Sequence, residues 1–251
     1  WRQEDVQHGN IKESRHSTMR SQLKHLVSYK GASTKLSSLD RDSFYEYANW
    51  KLTTYPDTQK ITIRNEQSTF KAVMAFGFRK GLTHFETMDF RKLVLKESDI
   101  SRRNTFTLEE YGKLVDTLRS YVSKTQCPDE TERLERMLVR DAILVASNTM
   151  CRVGELFQLQ WKDIISIEKK YDEVEQEVSI VTILVRGEIS KTGRTRKVPV
   201  RGGEYLERLR SRTSFTDPED FVFSAIGTGN PPKKRFWYKH WKTIMETMGI
   251  P

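Results

Sequence analysis

Residues Thr149-Met-Cys-Arg-Val-Gly-Glu-Leu156, followed after one residue by Gln158-Leu-Gln-Trp-Lys-Asp-Ile164, decide how this chain is read. Ahead of them, residues 131–150 repeat apolar side chains (Leu134, Leu138, Ile143, Leu144, Ala146) and predict a buried helix. Arg152 then opens a second helix, and Glu155, three residues on, shares its face. Backbone amides at a helix start favour an anion, and the planar fork of a guanidinium can hold two of its oxygens at once. A bland surface pair at this spacing would contribute only about 0.2–0.5 kcal/mol. The apolar run Leu156, Leu159, Trp161 and Ile164 around the pair argues that more is at stake.

Working outward, residues 178–186 are β-branched and apolar and predict a strand, as do residues 195–200. Between them, Ser190-Lys-Thr-Gly193 reads as a hairpin turn, and Lys191-Thr-Gly-Arg-Thr-Arg-Lys-Val-Pro-Val200 makes it basic. The acidic stretch 168–177 is expected to be a solvated loop, and residues 220–224 a short strand. Thr107-Leu-Glu-Glu110 is a capping box for a helix carrying Tyr111, Leu114, Val115 and Leu118. Residues 231–248 predict a last helix, opened by prolines and rich in lysine. Its Trp237, Tyr238 and Trp241 could touch a nucleic acid, but aromatic residues in such a helix more often pack it onto a core.

The first hundred residues predict short helices: one with Met19, Leu23, Leu26 and Val27, ended by Gly31, and one with Phe44, Tyr47, Ala48 and Leu52, closed before Pro56. A third carries Ile63, Phe70, Val73, Met74 and Phe78 and stops at Gly81. Arg15, Arg20, Lys24, Arg64, Lys71, Arg79 and Lys80 lie between the apolar positions as candidate phosphate contacts, although each alone also reads as a solvated charge. Lys96, Arg102 and Arg103 make a basic connection to the rest of the chain, and Arg102 and Arg103 join the candidate DNA contacts. Two domains are expected, 1–103 and 104–251.

Composition limits the possible classes. The 251 residues carry 43 Lys plus Arg against 34 Asp plus Glu, a net charge of +9. Residues 1–103 hold 19 basic and 12 acidic side chains, and residues 104–251 hold 24 and 22, so the surplus sits in the amino-terminal part and suits a polyanion. No apolar run is long enough to cross a bilayer, and no secretion signal opens the chain. Cys127 and Cys151 lack paired spacing, and the five histidines lack metal-ligand spacing, so no metal site is expected and the histidines read as surface or packing residues. No Walker loop or dinucleotide fingerprint points to a nucleotide cofactor.

In this order, the Arg152 box, the Lys191 hairpin and the helix running from Ile61-Thr-Ile-Arg64 into Phe76-Gly-Phe-Arg-Lys-Gly-Leu82 resemble the tyrosine recombinase (phage integrase) family. That family's arginine box is commonly T-G-x-R-x-x-E-L-x-x-L-x-W-x-D-I. The resemblance implies a mainly α fold with a small antiparallel sheet: a helical, SAM-like core-binding domain followed by an α+β catalytic domain. It implies DNA strand cleavage and rejoining through a 3′-phosphotyrosine intermediate, with no metal and no cofactor. Arg152 would clamp the scissile phosphate, Glu155 would orient that arginine, and Lys191 would protonate the departing 5′ oxygen. Arg194, Arg196 and Lys197 would lower the Lys191 pKa or grip the DNA backbone, and Lys197 could compete with Lys191 for its role. The implied partner is double-stranded DNA, bound by a homotetramer on paired sites without membrane or small-molecule substrate. The implied setting is the nucleoid of a prokaryotic cytoplasm, in a phage or mobile element.

The chain departs from the family at its end. The family's His-x-x-Arg box, its later His or Trp and its nucleophilic tyrosine are not found; His240 is followed by Trp-Lys-Thr, and none of the nine tyrosines takes the nucleophile's place. The expectation is therefore a fragment that binds DNA without cleaving it. Two alternatives remain open: a DNA-binding protein that kept the scaffold and lost the chemistry, and a type IB topoisomerase-like nicking-closing enzyme.

Overall fold

The apolar spacings of the first hundred residues become helices α1 (Arg2–Gln7), α2 (Glu13–Lys30), α3 (Tyr47–Thr54) and α4 (Lys60–Arg79) in a computed structural model that describes residues 2–96 and 105–250. The chain divides into two compact units, Trp1–Asn104 and Thr105–Pro251. Gly31, at φ 91°, ends α2 in a conformation that side chains with a Cβ rarely adopt. The 3–4 spacing from Phe44 to Leu52 is not one helix. Asp40 and Ser43 first cap a tight 3-10 turn over Arg41–Phe44, with the Ser43 hydroxyl donating to Asp40 at 2.7 Å, and α3 begins only at Tyr47. Phe44, Tyr47, Ile63, Phe70 and Met74 form the core of this unit, with Phe85 and Met88 from the extended segment after α4. Inside it, the buried Glu66 carboxylate accepts from the Tyr47 hydroxyl at 2.8 Å and pairs with buried Lys51 at 3.2 Å.

In the second unit, α5 (Leu108–Tyr121) starts with both bonds of the expected capping box: Glu110 N–H donates to the Thr107 hydroxyl, and Thr107 N–H donates to the Glu110 carboxylate. Next come α6 (Glu130–Thr149), the single turn α7 (Val153–Leu156) and an antiparallel sheet ordered β1 (Ile164–Tyr171), β2 (Glu177–Val185), β3 (Arg196–Arg201). Helices α8 (Gly203–Arg210) and α9 (Lys234–Met248) complete it. Val181, Ile183 and Val185 of β2 are buried among Leu138, Ala142 and Val145 of α6 and Leu206 and Leu209 of α8. The architecture is mainly α with a small antiparallel sheet: a helical first unit and an α+β second unit.

Two local expectations are corrected here, and one helix is added. The acidic stretch 168–177 is not a loop throughout: residues up to Tyr171 belong to β1, and β2 starts at Glu177. Edge strands tolerate charge because one face is solvated, and Lys169 here pairs across the ladder with Glu177 at 2.9 Å. Residues 220–224 form no strand, only a single bridge between Phe221 and Gln160. Helix α8 is absent from the sequence reading, because its eight residues bury little more than Leu206 and Leu209. Its amino terminus lies so close to the sheet that a Cβ on Gly203 would collide with Ser179 and Ile167.

Candidate active site

Helix α6 ends at Thr149, and the chain turns through Met150 in the left-handed region, φ 50° and ψ 17°. In the motif that the sequence resembles a glycine stands here; Met150 takes the turn with its side chain 90% exposed. The turn delivers Arg152 to the amino-terminal cap of α7 and lays Glu155 beneath it. Glu155 is 2% exposed. Its carboxylate accepts from the Arg152 backbone N–H at 3.1 Å and from Arg152 Nη1 at 3.0 Å. A second guanidinium reaches the same group: Arg196 Nη2 lies 2.6 Å from one oxygen and Nη1 3.4 Å from the other. The bonds from Arg196 and then from Arg152 outweigh the burial that opposes them and hold the Glu155 carboxyl at about 2. The same contact raises Arg196 above the ordinary arginine value. Neighbouring Cys151 is buried, which pushes its thiol up and leaves it a poor nucleophile.

Arg196 thus enters as a partner of Glu155, not as a free cation beside Lys191, and the charge expected to act on that lysine is shared with a carboxylate. Lys197 follows it on β3, and strand alternation places it on the opposite, exposed face. Arg194 and Lys191 are exposed in the connection between β2 and β3. That connection is built to hold one shape. At its base, Arg186 Nε donates to buried Asp163 of the arginine box at 2.8 Å. Ser190, 1% exposed, donates its backbone N–H to Arg186 and Gly187 carbonyls, both at 3.1 Å. Gly187 approaches Gly193 so closely that a Cβ would stand 2.7 Å from the Gly193 carbonyl oxygen. Lys191 is carried on the outside of this closed turn.

In the first unit, Arg15, Arg20 and Lys24 are exposed on α2, with the last two one turn apart. Arg64, Lys71 and Arg79 are exposed on α4, and Lys80 caps its end. Lys71 and Lys80 lie over the rings of Phe90 and Phe76 at 5.5 and 5.9 Å. Arg102 and Arg103 fall outside the described residues.

One cationic surface has none of its lysines and arginines among the contacts expected from the sequence. Lys233, Lys234, Arg235, Lys239 and Lys242 are all exposed at the start of and along α9, with Tyr238 beside them and Lys234 5.3 Å from its ring centroid. Its opposite face packs inward: Trp237 stacks on Phe157 at 4.1 Å, and Trp241 lies against the core built on Ile244 and Met248. The sequence carries the signal in a ten-residue run, 233–242, holding five cations and no acid. His240 is also on the inner face, with Nδ1 2.7 Å from the Tyr121 hydroxyl, and burial lowers its pKa to about 4. Among the described residues, no group of three or more His, Cys, Asp or Glu could hold a metal ion, and no helix is long and apolar enough to cross a membrane.

The fold as a whole, a helical unit followed by an α+β unit with a small antiparallel sheet, has a counterpart among solved recombinase structures. The crystal structure of the XerH site-specific recombinase bound to its difH substrate, a pre-cleavage complex, matches the chain with a TM-score of 0.53 at 16% sequence identity. The match covers 94% of this chain and 64% of that one, so the chain spans under two thirds of the recombinase's length. No family model matches the sequence, and no curated protein matches it.

Proposed function

We propose that this chain binds duplex DNA and carries part of the active site of a site-specific tyrosine recombinase. The observation that carries the reading is Glu155: a carboxylate buried to 2% exposure that takes two bonds from Arg152 yet leaves that side chain 54% exposed. The arginines that tie elements together on buried Asp141 and Asp163 are 13–32% exposed, so Arg152 stands further open than any of them. It is aimed and left open.

Attack on a phosphodiester builds negative charge on the non-bridging oxygens. In the proposed reaction Arg152 receives that charge with a fork already oriented by Glu155, an arrangement whose removal typically costs about 2.7–4 kcal/mol of transition-state stabilisation. Lys191, on its closed turn, protonates the departing oxygen. The exposed cations of α2 and α4 and the α9 surface contact backbone phosphates, each within its own unit. A homotetramer on paired sites belongs to the same proposal, as does a prokaryotic mobile element as its setting. A scaffold retained only for DNA binding would keep the basic surfaces but would have no use for a buried carboxylate aiming one arginine.

The test has two parts. Arg152→Ala should weaken duplex binding by this chain about tenfold, read by fluorescence anisotropy, while its thermal unfolding stays within a few degrees. A protein joining this chain to a tyrosine-bearing box should trap a covalent complex on a nicked suicide duplex, and Arg152→Ala should abolish it. Trapping that survives the substitution would overturn the assignment.

A further inference from the structure

We infer that Arg196 is the positioning residue that keeps Arg152 available to a phosphate, by taking up the charge of Glu155. The inference rests on the reading of Arg152 as a phosphate contact and goes beyond it in giving Arg196 a task other than touching DNA.

The two arginines use the carboxylate differently. Arg196 engages both oxygens, with Nη2 on one at 2.6 Å and Nη1 on the other at 3.4 Å, so the end of its fork is committed to Glu155. Arg152 commits a single side-chain nitrogen, Nη1 at 3.0 Å, and its second bond to Glu155 comes from the backbone. The side chains differ accordingly, 38% exposed for Arg196 and 54% for Arg152. Charge counting leads to the same division. Two guanidiniums on one carboxylate leave a surplus positive charge, and it rests mainly with the guanidinium that has more donors free. Without Arg196, Glu155 would be free to close on Arg152 with both oxygens, the favoured fork-to-fork geometry, and the pair would present no net charge and fewer free donors to a phosphate. Arg196 also stands on β3 immediately after the turn that carries Lys191, so the same contact joins the arginine box to the lysine hairpin.

The alternative is that Arg196 contacts phosphate itself, and Glu155→Gln separates the two. Duplex binding by this chain is measured across a range of salt for native protein, Arg152→Ala, Arg196→Met, Glu155→Gln and the Glu155→Gln/Arg196→Met double variant. Positioning through Glu155 predicts that Arg196→Met alone weakens binding about as much as Arg152→Ala, with the salt slope falling by about 0.9, the value of one neutralised phosphate. It also predicts that with Gln at 155 the same Arg196→Met change leaves affinity within about twofold, because no carboxylate remains to capture Arg152. Equal weakening in both backgrounds would overturn the inference and make Arg196 a direct phosphate ligand. If Arg152→Ala leaves binding unchanged, the phosphate reading fails, and this inference with it. The double variant leaves no unpaired buried charge, so the decisive comparison survives even if Arg196→Met alone folds poorly; Arg196→Lys, which keeps a cation on Glu155, should then retain most of the native affinity, and a full loss would count against positioning.

Discussion

Glu155 and Met150 show how much of this site depends on single residues. The Glu155 carboxyl titrates at about 2 in the folded chain against an ordinary 4.5, because Arg196 and Arg152 bond its charged form. The folded state therefore binds this proton more weakly than the unfolded chain does. The resulting stabilisation is fully present above the ordinary value and is lost as pH falls from about 4.5 towards 2. Urea midpoints of native protein and Glu155→Gln should accordingly differ most near pH 6 and converge as pH approaches 2.5; a gap independent of pH would contradict the ion-pair origin. Met150 holds a left-handed conformation that costs an ordinary residue about 1–2 kcal/mol, and its exposed side chain offers little packing in return. Met150→Gly should raise stability by about 0.5–1 kcal/mol in urea unfolding, once the greater freedom of glycine in the unfolded chain is subtracted. A drop in stability would show that the methionine side chain packs well enough to outweigh the strain.

Between elements, the ties that hold the site are buried carboxylates with arginines drawn from separate segments. Asp141 on α6, fully buried, accepts from its neighbour Arg140 at 2.9 Å, from Arg208 on α8 at 3.1 Å and from Arg212 just beyond it at 3.1 Å. It thereby fastens the helix that leads to Arg152 to the helix that follows the strand of Arg196. Burial and the repulsion of Arg140, Arg208 and Arg133 lower the Arg212 pKa despite Asp141. Asp141→Ala leaves these arginines crowded and half-buried and should destabilise the chain by about 3–5 kcal/mol in chemical unfolding. A cost below about 1 kcal/mol would mean that the arginines simply turn out to solvent. Asp163 plays the same part for the Lys191 turn through Arg186.

Across the whole molecule, the net charge of +9 conceals a local division. The first unit displays cations on α2 and α4, whereas the second, nearly balanced in its totals, concentrates them on α9 and beside Glu155. Placement therefore matters more than the sum in the second unit. Replacing Lys234, Arg235 and Lys239 together by alanine removes exposed side chains from an otherwise well-packed helix, so folding should be untouched. Duplex affinity should fall, and the slope of log K against log salt should decrease by up to about 0.9 for each phosphate left without its cation. An unchanged slope would remove α9 from the DNA surface.

What could be read from the sequence were the features closed within a turn or two of chain. The Thr107–Glu110 capping box, the Arg152–Glu155 pair and the helical spacings all depend on backbone geometry that repeats over three or four residues, so spacing alone predicts them. Strand β1 escapes that reading because its charged residues lie on a sheet edge, where hydrophobic pattern is weak. The partnership of Glu155 with Arg196, 41 residues away, and of Asp141 with Arg208 and Arg212, 67 and 71 away, could not be read locally at all. The first of these is decided by strand register. The ladder pairs Arg196 with Val185 and turns residues 196, 198 and 200 inward; a slip of one residue would turn Lys197 inward in its place and leave Glu155 without its second arginine. The sequence by itself determined that an arginine and a glutamate would meet; the pairing of β2 with β3 decided that a second arginine would join them.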